Sequence, residues 1–467
     1  MQDRASSLKH LTVYHRRSVY YWGAQEVQPV DCLIDARWVI PVEPEGKVLD
    51  HHSVAVNEGR IVAVLPTADA SALFEPRERV DLSAHALIPG LVNLHTHAAM
   101  TLMRGLADDL PLKDWLNDHI WPAEARHVSA QFVYDGTMLA CAEMLLGGVT
   151  TFNDMYFFPE AAARAAVDAG MRAAIGIIAI DFPTTYASDA DDYLQKGLAA
   201  RDAWKNEPRL SFCMAPHAPH TVSDRTLERM LVMADELDLP VHIHVHETAG
   251  EIKDSLSLHG VRPLERLRTL GLVGPRLIAV HSVHLSTVEL ELLGQCGASV
   301  AHCPTSNMKL ASGFAPMAAM LEHGITVGLG SDGAASNNRL DIFQEMRMAA
   351  LLAKATTGNA KAVPAARALT AATLAGARSL GLDKEIGSII PGKAADLCAV
   401  RIDGPSLSPC YDPLSHLIYA AGRENVTHVW IAGALQVRDK QLTQIKLSEL
   451  GKNSHLWENK IALETEA

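Results

Sequence analysis

Ala86-Leu87-Ile88-Pro89-Gly90-Leu91-Val92-Asn93-Leu94-His95-Thr96-His97 is an apolar run that closes on two histidines. Its composition predicts a buried strand over 86–97. Side chains two apart on a strand share a face, so His95 and His97 leave the strand end pointing the same way. Two imidazoles so placed can reach one metal ion, and neutral imidazole suits zinc and its first-row neighbours. A chain with 22 histidines produces such pairs by chance, so the pair gains meaning only from partners farther along the chain.

From residue 86 to residue 390 short apolar stretches alternate with longer helical ones. The spacing predicts strands at 86–97, 149–157, 171–181, 209–217, 240–247, 276–284, 299–306 and 325–332, with helices such as 131–146, 159–169, 223–237 and 286–294 between them. Eight strands separated by helices is the count of a closed (β/α)8 barrel of the TIM type, an α/β fold. Such a barrel gathers its reactive side chains at the C-terminal ends of its strands. Here those ends carry His95 and His97, Asp154, His217, His244 to Glu247, His281, Asn307 and Ser331-Asp332.

The flanks read differently. Residues 30–87 hold short β-branched stretches punctuated by Asn57-Glu58-Gly59, as in a small antiparallel sheet. Strands return after Ile390, at 396–400, 427–431 and 435–437. The expectation is a β-sandwich domain built from 30–87 plus 391–445, with the catalytic barrel (88–390) inserted between its halves. Residues 446–467 read as a peripheral C-terminal helix, and 1–29 as an N-terminal extension without an assigned role.

Composition narrows the function. At 467 residues and 48% apolar content the chain can bury more than one core. A net charge of −13 repels polyanions, so nucleic acid and anionic membranes are poor partners, whereas a small nucleoside meets no such barrier. No stretch reaches the roughly 18 apolar residues of a membrane span, and the N-terminus lacks a signal-peptide layout. Seven cysteines without a Cys-x-x-Cys pair point to reduced thiols and a cytoplasmic protein.

Val241-His242-Ile243-His244-Val245-His246-Glu247 is the second cluster. Its three histidines fall on one face by parity, and either His244 or His246 could bind metal. Glu247 comes next, where the pleat relaxes, and could enter the site as an acid/base. His281 closes the apolar Leu277–Val280, while His284, on the opposite parity, reads as a loop residue. Asp332 ends a glycine-rich apolar strand and suits a ligand, with a helix cap as its other reading. Two histidines from the first strand, one from the fifth and Asp332 make a mononuclear site with a position left for water, whose pKa a catalytic metal lowers to about 7. The fourth strand ends Cys213-Met214-Ala215-Pro216-His217, without a lysine that could be carbamylated to bridge a second metal.

Together, Pro89 to His97, His244-x-x-Glu247, His281 and Ser331-Asp332-Gly333 resemble the amidohydrolase superfamily. The segments Met103 to Leu112 (Met-Arg-Gly-Leu-Ala-Asp-Asp-Leu-Pro-Leu), His119 to Glu124, Ala215 to Thr221 and Ser306 to Gly313 (Ser-Asn-Met-Lys-Leu-Ala-Ser-Gly) more closely resemble its 5′-methylthioadenosine/S-adenosylhomocysteine deaminases. The resemblance runs from about Val30 to Lys440. It implies His95, His97, His244 and Asp332 as ligands of one divalent metal, Zn2+, and Glu124, His217 and Glu247 as substrate contacts. It also implies a homodimer. The activity it implies is hydrolytic deamination of the adenine ring. Metal-activated water attacks C6, Glu247 protonates N1 and carries a proton to the leaving ammonia, and His281 and Asp332 hold and deprotonate the water. Glu124 would accept hydrogen bonds from the ribose, and His217 would help position the nucleoside.

Members that favour S-adenosylhomocysteine would offer arginines on the loops after strands 2 and 3. Here those loops read Tyr156-Phe157-Phe158-Pro159-Glu160 and Asp181 to Tyr186, without arginine. That tilts the expectation to methylthioadenosine, with adenosine secondary. Met100, Met103, Leu110, Trp115 and Met155 are candidates for an apolar pocket at the 5′ end, core packing being their competing role. Guanine, cytosine or triazine hydrolases of the same superfamily share the metal set and differ around Glu124 and His217. A non-catalytic barrel would have lost ligand or acid/base positions, and all are filled here. Zinc deaminases built on His-x-Glu with Pro-Cys-x-x-Cys are a separate superfamily whose second motif is absent from this chain.

Overall fold

The run 86–97 is two strands rather than one. In the computed structural model, which describes residues 27–465 with side chains through Ala462, one strand ends at Pro89 and the next begins at Leu91. The hydrogen bonds change sides at the break: Gly90 N donates to Asp396 O (2.9 Å), and Leu91 N donates to Gly148 O (3.0 Å). The chain passes so close to Thr150 that a Cβ at residue 90 would lie 2.2 Å from its Oγ1. Only glycine fits that crossing.

Before the crossing lie β1 (Gln28–Val39), β2 (Leu49–Asn57), β3 (Arg60–Pro66) and β4 (Phe74–Pro89). Asn57 and Arg60 are register partners around Glu58 and Gly59, both at positive φ (50° and 75°). That is the tight two-residue turn that suits strand twist. β1 pairs antiparallel with β2 but parallel with β4, so this sheet is mixed, not antiparallel as expected. The helix Thr67–Leu73 between β3 and β4 belongs to the longer connection that a parallel pairing needs.

After the crossing come the barrel strands: β5 (Leu91–Thr96), β6 (Val149–Asp154), β7 (Arg172–Ala179), β8 (Leu210–Pro216), β9 (Val241–Val245), β10 (Leu277–His281), β11 (Ser299–His302) and β12 (Thr326–Leu329). They pair in parallel, each with its neighbours in chain order. All lie inside the windows read from the sequence, as do helices such as Asp224–Leu237, whose N-cap Ser223 accepts from Thr226 N. At the seam between last and first strands, Asp332 N donates to His95 O (3.0 Å). Beside it, Ser331 N donates to Asn93 Oδ1 (2.9 Å) and Asn93 Nδ2 donates to Ser331 Oγ (2.7 Å). The seam therefore sets Asp332 against His95.

Finally β13 (Leu397–Arg401), β14 (Val426–Ile431), β15 (Ala434–Arg438) and β16 (Gln441–Leu442) return to the first sheet, β13 pairing antiparallel with β4. Both ends of the chain thus share one eight-stranded sheet. It is tied to the barrel by Arg172 of β7, whose guanidinium grips Asp396 through two bonds of 3.0 and 3.2 Å, both groups buried. The helix Leu447–Thr465 lies on the barrel's flank, where Trp457 Nε1 donates to Asp135 Oδ2 (3.0 Å). Most of the N-terminal extension (1–26) lies outside the described residues. Among the described residues no helix is long and apolar enough to cross a membrane.

Candidate active site

Four side chains from three strand ends converge at one mouth of the barrel. Asp332 Oδ1 lies 3.3 Å from His95 Nε2 and 3.3 Å from His97 Nε2. His95 Nε2 lies 3.2 Å from His244 Nε2. Each ring is held from behind. His97 Nδ1 donates to Met155 O (2.6 Å), and His244 Nδ1 donates to His217 O (2.7 Å). His95 Nδ1 bonds His242 Nε2 (3.0 Å). With Nδ1 carrying the proton, the Nε2 lone pairs of neutral rings would face one another and Asp332, a clash that a cation relieves, or in its place a proton on His97. Ligand bonds of about 2.0–2.1 Å at a tetrahedral angle place donor atoms about 3.3–3.4 Å apart. The chemistry of these donors and the three spacings above fit a zinc-sized ion, the donors falling into two overlapping groups, His95 with His97 and Asp332 and His95 with His244 and His281.

Charge obeys the same logic. Burial drives the His95 imidazole down to about 3 and His244 well below its usual value. His97 resists its burial because it bonds Asp332, and is pushed up to about 9. Asp332 is likewise buried, yet its two histidine partners hold it well below the usual carboxylate range. Its second oxygen, Oδ2, accepts from Ser306 Oγ (2.6 Å) and Ser336 Oγ (2.7 Å), leaving Oδ1 to face the imidazoles.

Glu247 and His281 stand beside this cluster. His281 Nδ1 donates to Asn307 Oδ1 (2.8 Å), so its Nε2 is free, 3.7 Å from Glu247 Oε2. That nitrogen groups with the donor atoms of His95 and His244, all within 4.8 Å of one another. Burial, reinforced by Asp332, pushes Glu247 up to about 8, so burial favours its acid form at neutral pH. Its backbone is fixed by the capping box that starts the helix Ala249–His259: Glu247 N donates to Glu251 Oε2 (3.2 Å), and Thr248 caps Glu251 N. Three residues at these strand ends, His246, His281 and Asp332, hold positive φ (58°, 66° and 61°). Non-glycine residues in that region are strained, and such strain collects at functional sites.

Residues 86–435 match the model of the amidohydrolase family. The chain belongs to that family. Among curated relatives, a 5-methylthioadenosine/S-adenosylhomocysteine deaminase from Saccharophagus degradans is 46% identical over 433 residues, 93% of this chain and 97% of the relative. A 5′-deoxyadenosine deaminase from Methanothermobacter thermautotrophicus is 43% identical, covering 84% and 90%. Among solved structures, an adenosine deaminase from Xanthomonas campestris with bound zinc superposes with a TM-score of 0.93 at 50% identity, over 94% of this chain and all of that one. An atrazine chlorohydrolase from Arthrobacter aurescens, at 24% identity and a TM-score of 0.85, shares the fold.

The amidohydrolase site opens into a cavity of about 880 Å3 lined by His97, Glu124, His217, Glu247, His281 and Asp332, among others. Every residue assigned from the sequence to metal, catalysis or substrate therefore borders it except His95, which is fully buried behind Asp332 and His244. Glu124, on the helix Trp121–His127, is pushed up to about 7 by burial although Tyr156 Oη donates to its Oε1 (2.7 Å). His217 is driven down to about 3 by burial, and its Nδ1 meets Thr221 Oγ1 (2.9 Å). Of the five candidates for an apolar pocket, Met100, Leu110, Trp115 and Met155 line the cavity, whereas Met103 lies in the core.

Parity misplaces one histidine. His246 turns away at its positive φ, and its Nε2 accepts from Leu264 N (3.1 Å), which leaves His244 in the site. His284 does sit in a loop, its Nε2 on Ser312 O (2.8 Å). Asp154 pins the turn after His97 by accepting from Ala98 N (2.7 Å). The supporting residues His242, Ser306, Ser336 and Tyr156 have no role legible in the sequence, and Asn307 only a place at a strand end. Thr248-x-x-Glu251 is a capping-box pattern visible in sequence; the others carry no such signal.

Proposed function

We propose that this amidohydrolase removes the 6-amino group of 5′-substituted adenosines by hydrolysis, with 5′-methylthioadenosine preferred and adenosine secondary. The observation that carries the reading is the coincidence of an acid (Glu247), a free imidazole nitrogen (His281) and a cation-demanding donor set in one cavity with Glu124. Relatives at 40–46% identity named for this chemistry support it, and so does the bound zinc in the Xanthomonas campestris structure. The ligands would be His95, His97, His244 and Asp332 around a single Zn2+.

A divalent metal held there supplies Lewis acidity and a nucleophile drawn from water at neutral pH. The protein's side chains manage the protons. Glu247, in its acid form, gives a proton to ring N1, which makes C6 electrophilic. As a carboxylate it takes a proton back from the attacking water and hands it to the departing amine. His281 Nε2 accepts a hydrogen bond from the same water, and Asp332 takes the water's other proton and passes it back to Glu247, replacing the one given to N1. Of the water's two protons one ends on N1 and one on ammonia, while its oxygen becomes the C6 carbonyl. Such positioned groups typically contribute about 10²–10⁴-fold each. Glu124 accepts from the ribose hydroxyls, and His217 orients the nucleoside.

Among the described residues lining the cavity there is no arginine; its cations are Lys113 and Lys309. The apolar Met100, Leu110, Trp115 and Met155 favour a methylthio group over a zwitterion. The seven cysteines are free thiols, which supports a cytoplasmic protein, and a homodimer belongs to the same reading. The test is ammonia release by zinc-loaded enzyme from 5′-methylthioadenosine, adenosine, S-adenosylhomocysteine, guanine and melamine. A wide margin for S-adenosylhomocysteine would overturn the preference. Turnover of guanine or melamine alone would overturn the adenosine reading.

A further inference from the structure

Three segments contribute residues that take no part in the chemistry: Arg104 and Asp108 of Met103–Leu112, Lys309 of Ser306–Gly313, and Asn338 after Asp332. Lys309, Asp108 and Asn338 meet in one closed triad, with Arg104 beside it. Lys309 Nζ donates to Asp108 Oδ1 (2.6 Å), to Ala335 O (3.2 Å) and to Asn338 Oδ1. Asn338 Nδ2 donates to Asp108 Oδ2 (2.9 Å). Arg104 adds bonds to Asn338 O and to Glu143. An ammonium has three protons to give, and all of Lys309's are taken. Lys309 lines the cavity, yet has no donor left for an anionic substrate.

The triad's position gives it a use. The helix Pro304–Lys309 already carries Ser306, which orients Asp332, and Asn307, which orients His281. Asp108 begins the stretch that runs through Leu110 and Trp115 to Glu124, the wall that would meet the ribose and the 5′ group. Lys309 therefore joins the helix that orients the chemical groups to the segment that would grip the nucleoside.

The geometry points to Lys309 as a positioning residue: its clamp on Asp108 and Asn338 holds the 104–124 wall in register with His281 and Asp332. This rests on the deaminase reading for its substrate, though not for its structural half. Side chains at one-fifth (Lys309) and about one-third (Asp108) exposure make a part-buried ion pair, stronger than a solvated one because two further bonds share the load.

Lys309→Met keeps the stem and removes the donors. In zinc-loaded full-length enzyme, KM for 5′-methylthioadenosine should rise about three- to tenfold, the factor by which the competent wall would be depopulated, with kcat within about twofold and zinc content unchanged. Hydrogen exchange in ligand-free enzyme should quicken across 104–124 and not in β9 or β10. Asp108→Asn should do the same, and the double variant should be no worse than either single one. A variant with unchanged KM and unchanged exchange overturns the clamp. So does a fall in kcat or zinc with KM intact, since Lys309 would then serve the chemical groups directly. The exchange readout needs no substrate, so if wild type released no ammonia from any adenosine the deaminase reading would fail while the clamp was still decided.

Discussion

Replacing Asn307 with leucine should disable His281 without touching the metal. The amide Oδ1 accepts the proton of His281 Nδ1 at 2.8 Å, both residues being buried. Leucine leaves that N–H without a partner, and an orphaned buried donor costs about 1–3 kcal/mol. The imidazole escapes the cost by moving its proton to Nε2, the nitrogen 3.7 Å from Glu247 Oε2, where it can no longer accept from water. A bias of about 1–3 kcal/mol is about 5–150-fold in population, and kcat/KM should fall by that factor. Steady-state kinetics gives the rate, zinc analysis should show wild-type content, and nitrogen-15 spectra of the histidine side chains report the tautomer. A variant that keeps Nδ1 protonated but loses activity, or keeps its rate with Nε2 protonated, would refute the role assigned to Asn307.

Glu247→Gln should retain metal and lose turnover. In wild type, kcat/KM should decline as pH rises through about 8 or somewhat below, because burial holds Glu247 in its acid form up to there and a bound cation pulls that limb lower; a flat alkaline profile would remove Glu247 as the acid. Tyr156→Phe takes away the hydroxyl that helps Glu124 ionise against its burial. Riboside KM should rise about tenfold, as for loss of a hydrogen bond to a charged group, and the wild-type improvement in KM as pH rises through about 7 should shift to higher pH. Asp396→Ala strands Arg172 in the interior and should cost about 3–5 kcal/mol in denaturant unfolding, most of it recovered when Arg172 also becomes methionine; equal stability of the single variant and wild type would remove the pair from the bond between sheet and barrel.

The eight barrel strands are legible in the chain because buried parallel strands are short apolar runs with little else in them. Their C-terminal ends then draw attention to His95, His97, His281 and Asp332. The peripheral sheet is less legible: the parallel pairing of β1 with β4 leaves no local mark, since it joins segments that are not neighbours in sequence. The division of 86–97 into two strands is hidden for a related reason. Apolar content runs unbroken through Gly90, and the close approach to Thr150 that only glycine allows there appears only in the structure.

Pattern and residue type are enough to give the fold class and the kind of chemistry, because a two-residue period and apolar run length are local properties that survive without coordinates. Which histidine joins the donor cluster is not local. His246 and Asp332 leave the pleat at positive φ, breaking the parity that sequence reasoning relies on, and their directions depend on what packs around them: Leu264 N for His246, Ser306 and Ser336 for Asp332. The tautomers, the free side of each carboxylate and the Lys309 clamp belong to the tertiary structure for the same reason, since each is set by a hydrogen bond between residues that only the closing of the barrel brings together.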